Sequence, residues 1–243
     1  MSENVIAWSE SIFNIVYLII IWILVSMMLQ RRQNLSSQTR ACALSFMWAF
    51  VLLALGDSGH VGFRVWGYAM GGLDTYIQIL GQNVSLVGLG RLTTAITLTV
   101  FYMLLLIVWR QRFNKPYGWF GIVLFAAGFV RLGIMAMPQN AWWQSSAAIW
   151  PLSLYRNLPL MLQGLGVAYL ILRDAAASQD RTFTQIGILI LISYAFYIPV
   201  ILFARLIPAI GILMLPKTLV YVVIAWVVYT KLFNVSVSAP TPA

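Results

Sequence analysis

Charge is what this sequence has least of. Only 9% of its residues are Asp, Glu, Lys or Arg, against roughly 25% in soluble domains. With 61% hydrophobic residues, that deficit excludes an ordinary soluble domain and predicts a polytopic membrane protein. Acid is scarcer still, with six Asp and Glu against fifteen Lys and Arg. The one cysteine, Cys42, excludes an internal disulfide and a cysteine-rich metal site. The one histidine, His60, argues against a histidine-based metal cluster, because such sites take two or three. No metal and no cofactor is expected. The net charge of +9 does not call for nucleic acid either, since the basic residues form no solvated patch with interleaved aromatics.

What is present is a series of apolar runs of membrane-spanning length. The expected fold is all-α: one domain over residues 1–243, a bundle of seven transmembrane helices with the N-terminus outside and the C-terminus inside. The first run, Ser11 to Gln30, is followed at once by Arg31 and Arg32, the reverse of a cleavable leader, and so reads as a retained helix. The second climbs from Ala41 to about Met70. An outer loop over 71–88 follows, with room for a short interfacial helix. The third run spans about Leu89 to Trp109, the fourth starts at Tyr117 and stops near Pro138, and the fifth runs from about Trp150 to Leu172. The sixth spans Phe183 to Ala204, the seventh about Ala209 to Phe233, and a polar cytoplasmic tail occupies 234–243.

Nine basic residues fall at alternate ends of these runs: Arg31, Arg32 and Arg40; Arg110, Arg112 and Lys115; Arg173, Arg181 and Lys231. Only Asp174 and Asp180 oppose them. By the positive-inside preference those ends face the cytoplasm. The plasma membrane, and a prokaryotic cytoplasmic membrane in particular, is the expected location.

The other six basic residues, Arg64, Arg91, Arg131, Arg156, Arg205 and Lys217, violate that preference, and each comes from a different helix, two through seven. Arg205 and Arg91 lie near helix ends, where a long side chain snorkels to headgroups. Arg131, Arg156 and Lys217 lie deeper. The densest polar stretch is Asp57-Ser58-Gly59-His60-Val61-Gly62-Phe63-Arg64. An acid, an imidazole and a guanidinium at i, i+3 and i+7 share one helical face, within about 60° of one another. The rise of an α-helix puts Asp57 roughly 24 Å and Arg64 roughly 34 Å from the inner end of helix two. Ionisable groups at such depth are costly and mark interior sites.

Helical phase adds to the set. Arg91, Thr94 and Tyr102 share a face, as do Arg156 with Gln163, Tyr194 with Tyr197 and Arg205, and Lys217 with Tyr221. If these faces converge, the outer half of the bundle holds a basic cavity. Its expected ligand-binding residues are Arg64, Arg91, Arg131 and Arg156 with Lys217 and three tyrosines, Tyr155, Tyr194 and Tyr197. Asp57 and His60 would be the acid–base pair if the protein is an enzyme. The expected partners are membrane lipids and an anionic small molecule or lipid headgroup, because arginine presents a planar fork of donors to phosphate or carboxylate. The function expected is that of a receptor or carrier-like binding protein. The alternatives are a membrane enzyme acting on a lipid-linked anionic substrate and a structural or accessory membrane subunit.

The strings LGDSGHVGFR, MPQNAWW, YRNLP and LPKT resemble segments of an uncharacterised prokaryotic family of seven-helix integral membrane proteins. That resemblance spans most of the chain and implies the seven-helix fold, but it transfers no activity and no residue roles. Better-known classes fit poorly. A microbial rhodopsin has its retinal lysine mid-membrane on helix seven, whereas Lys217 lies nearer the outer end. Ceramidase-type hydrolases bind zinc through three histidines, and PQ-loop transporters repeat their Pro-Gln pair, which occurs here once, at Pro138-Gln139.

Overall fold

The computed structural model describes residues 3–145 and 150–234, with side chains from residue 12 onward. The tail residues 235–243 and the side chains of Glu3 and Glu10 lie outside the described residues. The chain is 82% helical, and seven of its helices are long and apolar enough to cross a membrane. Such a chain suits a multi-pass membrane protein.

Helix α1 (Glu3–Arg31) starts well before Ser11, because no proline or glycine interrupts the residues that precede the apolar run. It is followed by α2 (Ser37–Ala69), α3 (Leu86–Phe113) and α4 (Gly118–Ala136). The fifth span is broken into α5 (Leu152–Tyr155) and α6 (Leu158–Ala177), and α7 covers Arg181–Phe203. The seventh changes pitch twice: a 3-10 segment at Pro208–Leu213, α8 at Met214–Val228 and a π turn at Tyr229–Phe233.

Side-chain caps fix two of the starts. Ser85 Oγ accepts from Gly88 N at 3.2 Å, and Asp180 Oδ1 accepts from Phe183 N at 3.1 Å. Each satisfies a backbone donor that the first helical turn leaves without a partner.

The loop expected over 71–88 does not contain an interfacial helix. Two short strands, β1 (Tyr76–Ile79) and β2 (Gln82–Ser85), form an antiparallel hairpin with Ile79 opposite Gln82. The turn residues Leu80 and Gly81 have φ of 50° and 79°, the pair of positive values that a two-residue hairpin turn demands. Leucine rarely takes that conformation, so the local sequence carried no turn signal. The hairpin is tied down by tertiary hydrogen bonds, from Ser85 N to Trp143 O at 2.9 Å and from Leu86 N to Thr75 O at 3.2 Å.

Helices α2 and α3 approach most closely. A Cβ added at Gly56 would meet Thr97 Oγ1 at 1.8 Å, and one at Gly59 would meet Thr93 Oγ1 at 2.6 Å. Small residues let membrane helices come together, and threonine hydroxyls bond across the seam. Thr93 and Thr94 both donate to the Gly56 carbonyl, at 3.3 and 3.1 Å. This contact matters for the site, because Asp57 and His60 flank Gly59 and are thereby held against the start of α3.

The middle of the bundle is aromatic. Phe101 packs edge-on against Phe50, Tyr102 and Tyr221, and Phe46 packs against Phe50 and Phe183. At the arginine-rich end, Arg112 pairs with Asp180 at 2.7 Å, and Asp174 accepts from Trp109 Nε1 at 2.8 Å and from Arg173 at 2.8 Å. The opposite end, which carries the hairpin, holds the cavity.

Candidate functional site

A cavity of about 520 Å³ opens at the hairpin end, walled by residues from every one of the seven spans. One wall is the α2–α3 pair. It presents Asp57, His60 and Arg64 from α2, and Arg91 and Thr94 from α3. The other wall brings Arg131 from α4, Arg156 from the break in the fifth span, Tyr197 from α7 and Lys217 from α8. Eight of the ten side chains singled out in the sequence thus line one space.

Tyr155 and Tyr194 do not. Tyr155 is half exposed on the bundle surface. Tyr194 lies beneath the cavity, fully buried, and donates to Leu160 O at 2.8 Å. It belongs to a layer of tyrosines under the floor. In that layer the Tyr102 and Tyr221 hydroxyls are 2.8 Å apart, and the Tyr102 and Tyr194 rings pack at 5.6 Å.

Several contributors escaped the sequence reading, among them Tyr17, Asn14 and Trp142. Tyr17 and Asn14 come from α1, and Tyr17 OH donates to Asp57 Oδ2 at 2.8 Å. Trp142, from the turn after α4, lies under the Arg156 guanidinium, 4.7 Å from its carbon to the ring centroid. Tyr221, which helical phase puts on the face of Lys217, closes the floor. Tyr17 left one usable signal, since it is the only tyrosine in the first apolar run and sits one helical turn from Asn14. Trp142 left none, because its position depends on a turn.

The cations are held in two different ways. Arg131 is 3% exposed and spends its donors on the protein. Its Nε bonds Arg156 O at 3.0 Å, and its Nη1 bonds Ala95 O at 3.0 Å and Thr99 Oγ1. The break between α5 and α6, with Pro159 in the first turn of α6, leaves carbonyls without helical partners, and Arg131 takes one of them. Arg131 is therefore a clasp across α3, α4 and the fifth span.

The others face the cavity with donors to spare. Among the described residues, Arg64 and Lys217 make no hydrogen bond and no ion pair. Lys217 is 7% exposed, with its ammonium 4.2 Å from the Tyr197 ring centroid and 5.6 Å from that of Tyr221. Arg91 gives Nη2 to Gln144 O at 2.8 Å, but its Nε is buried without a partner. Arg156 reaches Asn140 Oδ1 at 3.4 Å. His60 Nδ1 is also buried and unpartnered.

Asp57 joins no ion pair among the described residues, so neither Arg64 nor Arg131 is its salt-bridge partner. Among the described residues the cavity accordingly collects five cations against one carboxylate, and that carboxylate already accepts from Tyr17. Arg205 stays outside, exposed and stacked over Trp150 at 5.7 Å, as a snorkelling residue would be. Among the described residues no group of three His, Cys, Asp or Glu could hold a metal ion.

No protein-family model, no curated protein and no solved structure matches the chain.

Proposed function

We propose that this protein binds an anionic small molecule or lipid headgroup in the cavity at the hairpin end, as a receptor or carrier-like protein of the plasma membrane. The observation that carries this reading is the excess of cavity cations without hydrogen-bond or ion-pair partners among the described residues, Arg64 and Lys217 above all. Like charges crowded in a region of low dielectric repel one another, and burying an unpaired ion costs several kcal/mol, on the order of the whole contribution of a good ion pair. A bound anion removes both costs. Aromatic faces beneath Lys217 and Arg156 support the cations without neutralising them.

In the same reading, the arginine-rich end faces the cytoplasm and the cavity faces outward, in a prokaryotic cytoplasmic membrane. The nine basic residues at that end support this orientation. Single-cysteine labelling of intact cells tests it: a cysteine at position 3 is expected to label from outside, and one at 112 only after permeabilisation. The opposite pattern refutes the orientation.

The binding test uses purified protein in neutral-lipid nanodiscs and inorganic phosphate as the probe. Phosphate is expected to raise the unfolding midpoint of the wild type, and to raise it less in Lys217→Gln. Raised salt should weaken this binding less than at an exposed site, because a partly buried charge is poorly screened. No shift in the wild type for phosphate, sulfate or a carboxylate refutes the proposal.

A second reading, catalysis on the bound anion, is favoured by Asp57 and His60 standing on the same wall of the cavity. In that case His60→Gln abolishes turnover while binding survives.

A further inference from the structure

The charge and the size of the cavity narrow the class of anion. On the α2–α3 wall stand Arg64, Arg91 and His60, each with a buried nitrogen that has no hydrogen-bond partner among the described residues. On the facing wall stand Lys217 and Arg156, each propped on an aromatic ring. The two groups form one electrostatic row: Arg64 lies within reach of Arg91, Arg91 and Arg131 lie within reach of Arg156, and Arg131 and Asp57 lie within reach of Lys217. A monoanion bound at one wall leaves the cations of the other uncompensated.

The supply of donors makes the same point. A guanidinium has five N–H groups and an ammonium three, so Arg64 and Lys217 alone bring about eight with no acceptor among the described residues. A carboxylate offers two oxygens. Phosphoryl groups offer three strong acceptor oxygens each and carry more charge. Size also argues against a bare ion. At about 30 Å³ per water, a cavity of about 520 Å³ has room for on the order of 15 waters. It falls within the roughly 300–1,000 Å³ typical of sites for organic ligands.

We infer that the ligand is an organic diphosphate, one phosphoryl group held by Arg64, Arg91 and His60 and the other by Lys217 and Arg156, with Arg131 positioning Arg156. This rests on the anion-binding reading above and deepens it. The remaining apolar lining, including Leu53, Leu98 and Met214, accommodates the organic part. Arg131 is a positioning residue, since its Nε holds the backbone of the residue that makes the contact.

The test titrates wild-type protein in neutral-lipid nanodiscs with inorganic pyrophosphate, orthophosphate and succinate at constant ionic strength, with unfolding midpoint and equilibrium dialysis as readouts. Pyrophosphate is expected to bind at least tenfold more tightly than orthophosphate, and more tightly than succinate. Arg64→Gln and Lys217→Gln should each lower pyrophosphate affinity to about the orthophosphate level, while each lowers orthophosphate affinity less. Unfolding midpoints without ligand show whether each variant is folded, and Lys217→Arg is expected to restore part of the pyrophosphate preference.

A second arm compares a nucleoside diphosphate with a prenyl diphosphate in the bilayer. Tighter binding of the first assigns a water-soluble source and of the second a membrane source, and either supports the inference. Pyrophosphate binding no tighter than orthophosphate overturns the two-group assignment and leaves simple anion binding standing. Failure of every anion to bind overturns both.

Discussion

Lys217→Met is the perturbation that best separates a binding site from a piece of scaffold. The lysine ammonium is 7% exposed, makes no hydrogen bond or ion pair among the described residues, and rests over Tyr197 at 4.2 Å and Tyr221 at 5.6 Å. The two ring contacts contribute about 0.5–2 kcal/mol each. Against them stands the desolvation of a buried ion, several kcal/mol even after relaxation, and the repulsion of Arg131. Asp57 offsets part of this, and the opening of the cavity to the surface offsets more. Methionine matches the lysine stem in length and packs well against aromatic faces. Replacing buried ions with apolar residues of similar volume is neutral or stabilising by about 1–4 kcal/mol. The opening of the cavity to the surface places this case at the lower end, so Lys217→Met is expected to stabilise the ligand-free protein by about 1–2 kcal/mol while weakening stabilisation by phosphate. Urea or thermal unfolding in nanodiscs, with and without the anion, reads both effects. A loss of more than 1 kcal/mol of ligand-free stability would refute the reasoning, because it would mean that the ammonium is held by its neighbours and not kept for a ligand.

Arg131→Met is expected to behave in the opposite way. It removes three hydrogen bonds and leaves the Arg156 carbonyl without its side-chain donor, while Ala95 O still accepts from Thr99, at about 1–3 kcal/mol in unfolding free energy. An unchanged midpoint would show that the clasp is dispensable. Gly56→Ala is expected to destabilise by about 1–3 kcal/mol, since its Cβ would fall 1.8 Å from Thr97 Oγ1. Gly62→Ala, with open space around its Cβ inside α2, is the control that should not destabilise and gains up to about 1 kcal/mol from helix propensity.

The site was legible from the sequence to the extent that depth and helical phase decide it. Arg64, Arg91, Arg131, Arg156 and Lys217 stood out because each violates the charge pattern at a known distance from a helix end. Phase aimed Asp57, His60 and Arg64 the same way, and in the structure all three line one cavity. The difference in role between Arg131 and Lys217 was not legible. Both are buried cations on apolar helices, and only their neighbours distinguish a clasp from an unpartnered charge.

Composition and hydropathy by themselves determined the all-α class and the seven spans, because a backbone in lipid must satisfy its own hydrogen bonds and helices do so within one segment. Tertiary structure alone decided the rest. Tyr17 reaches Asp57 across 40 residues of chain, the Arg156 carbonyl is freed by a helix break and claimed by Arg131 from another span, and Leu80 turns a hairpin under tertiary constraint. Tyr155 faces away from the cavity that its neighbour Arg156 lines. These features depend on which backbone groups are left open and which helix comes within bonding distance. No local pattern of residues encodes that, since the same side chain meets a carbonyl, a ring or open space according to the packing of helices remote in sequence.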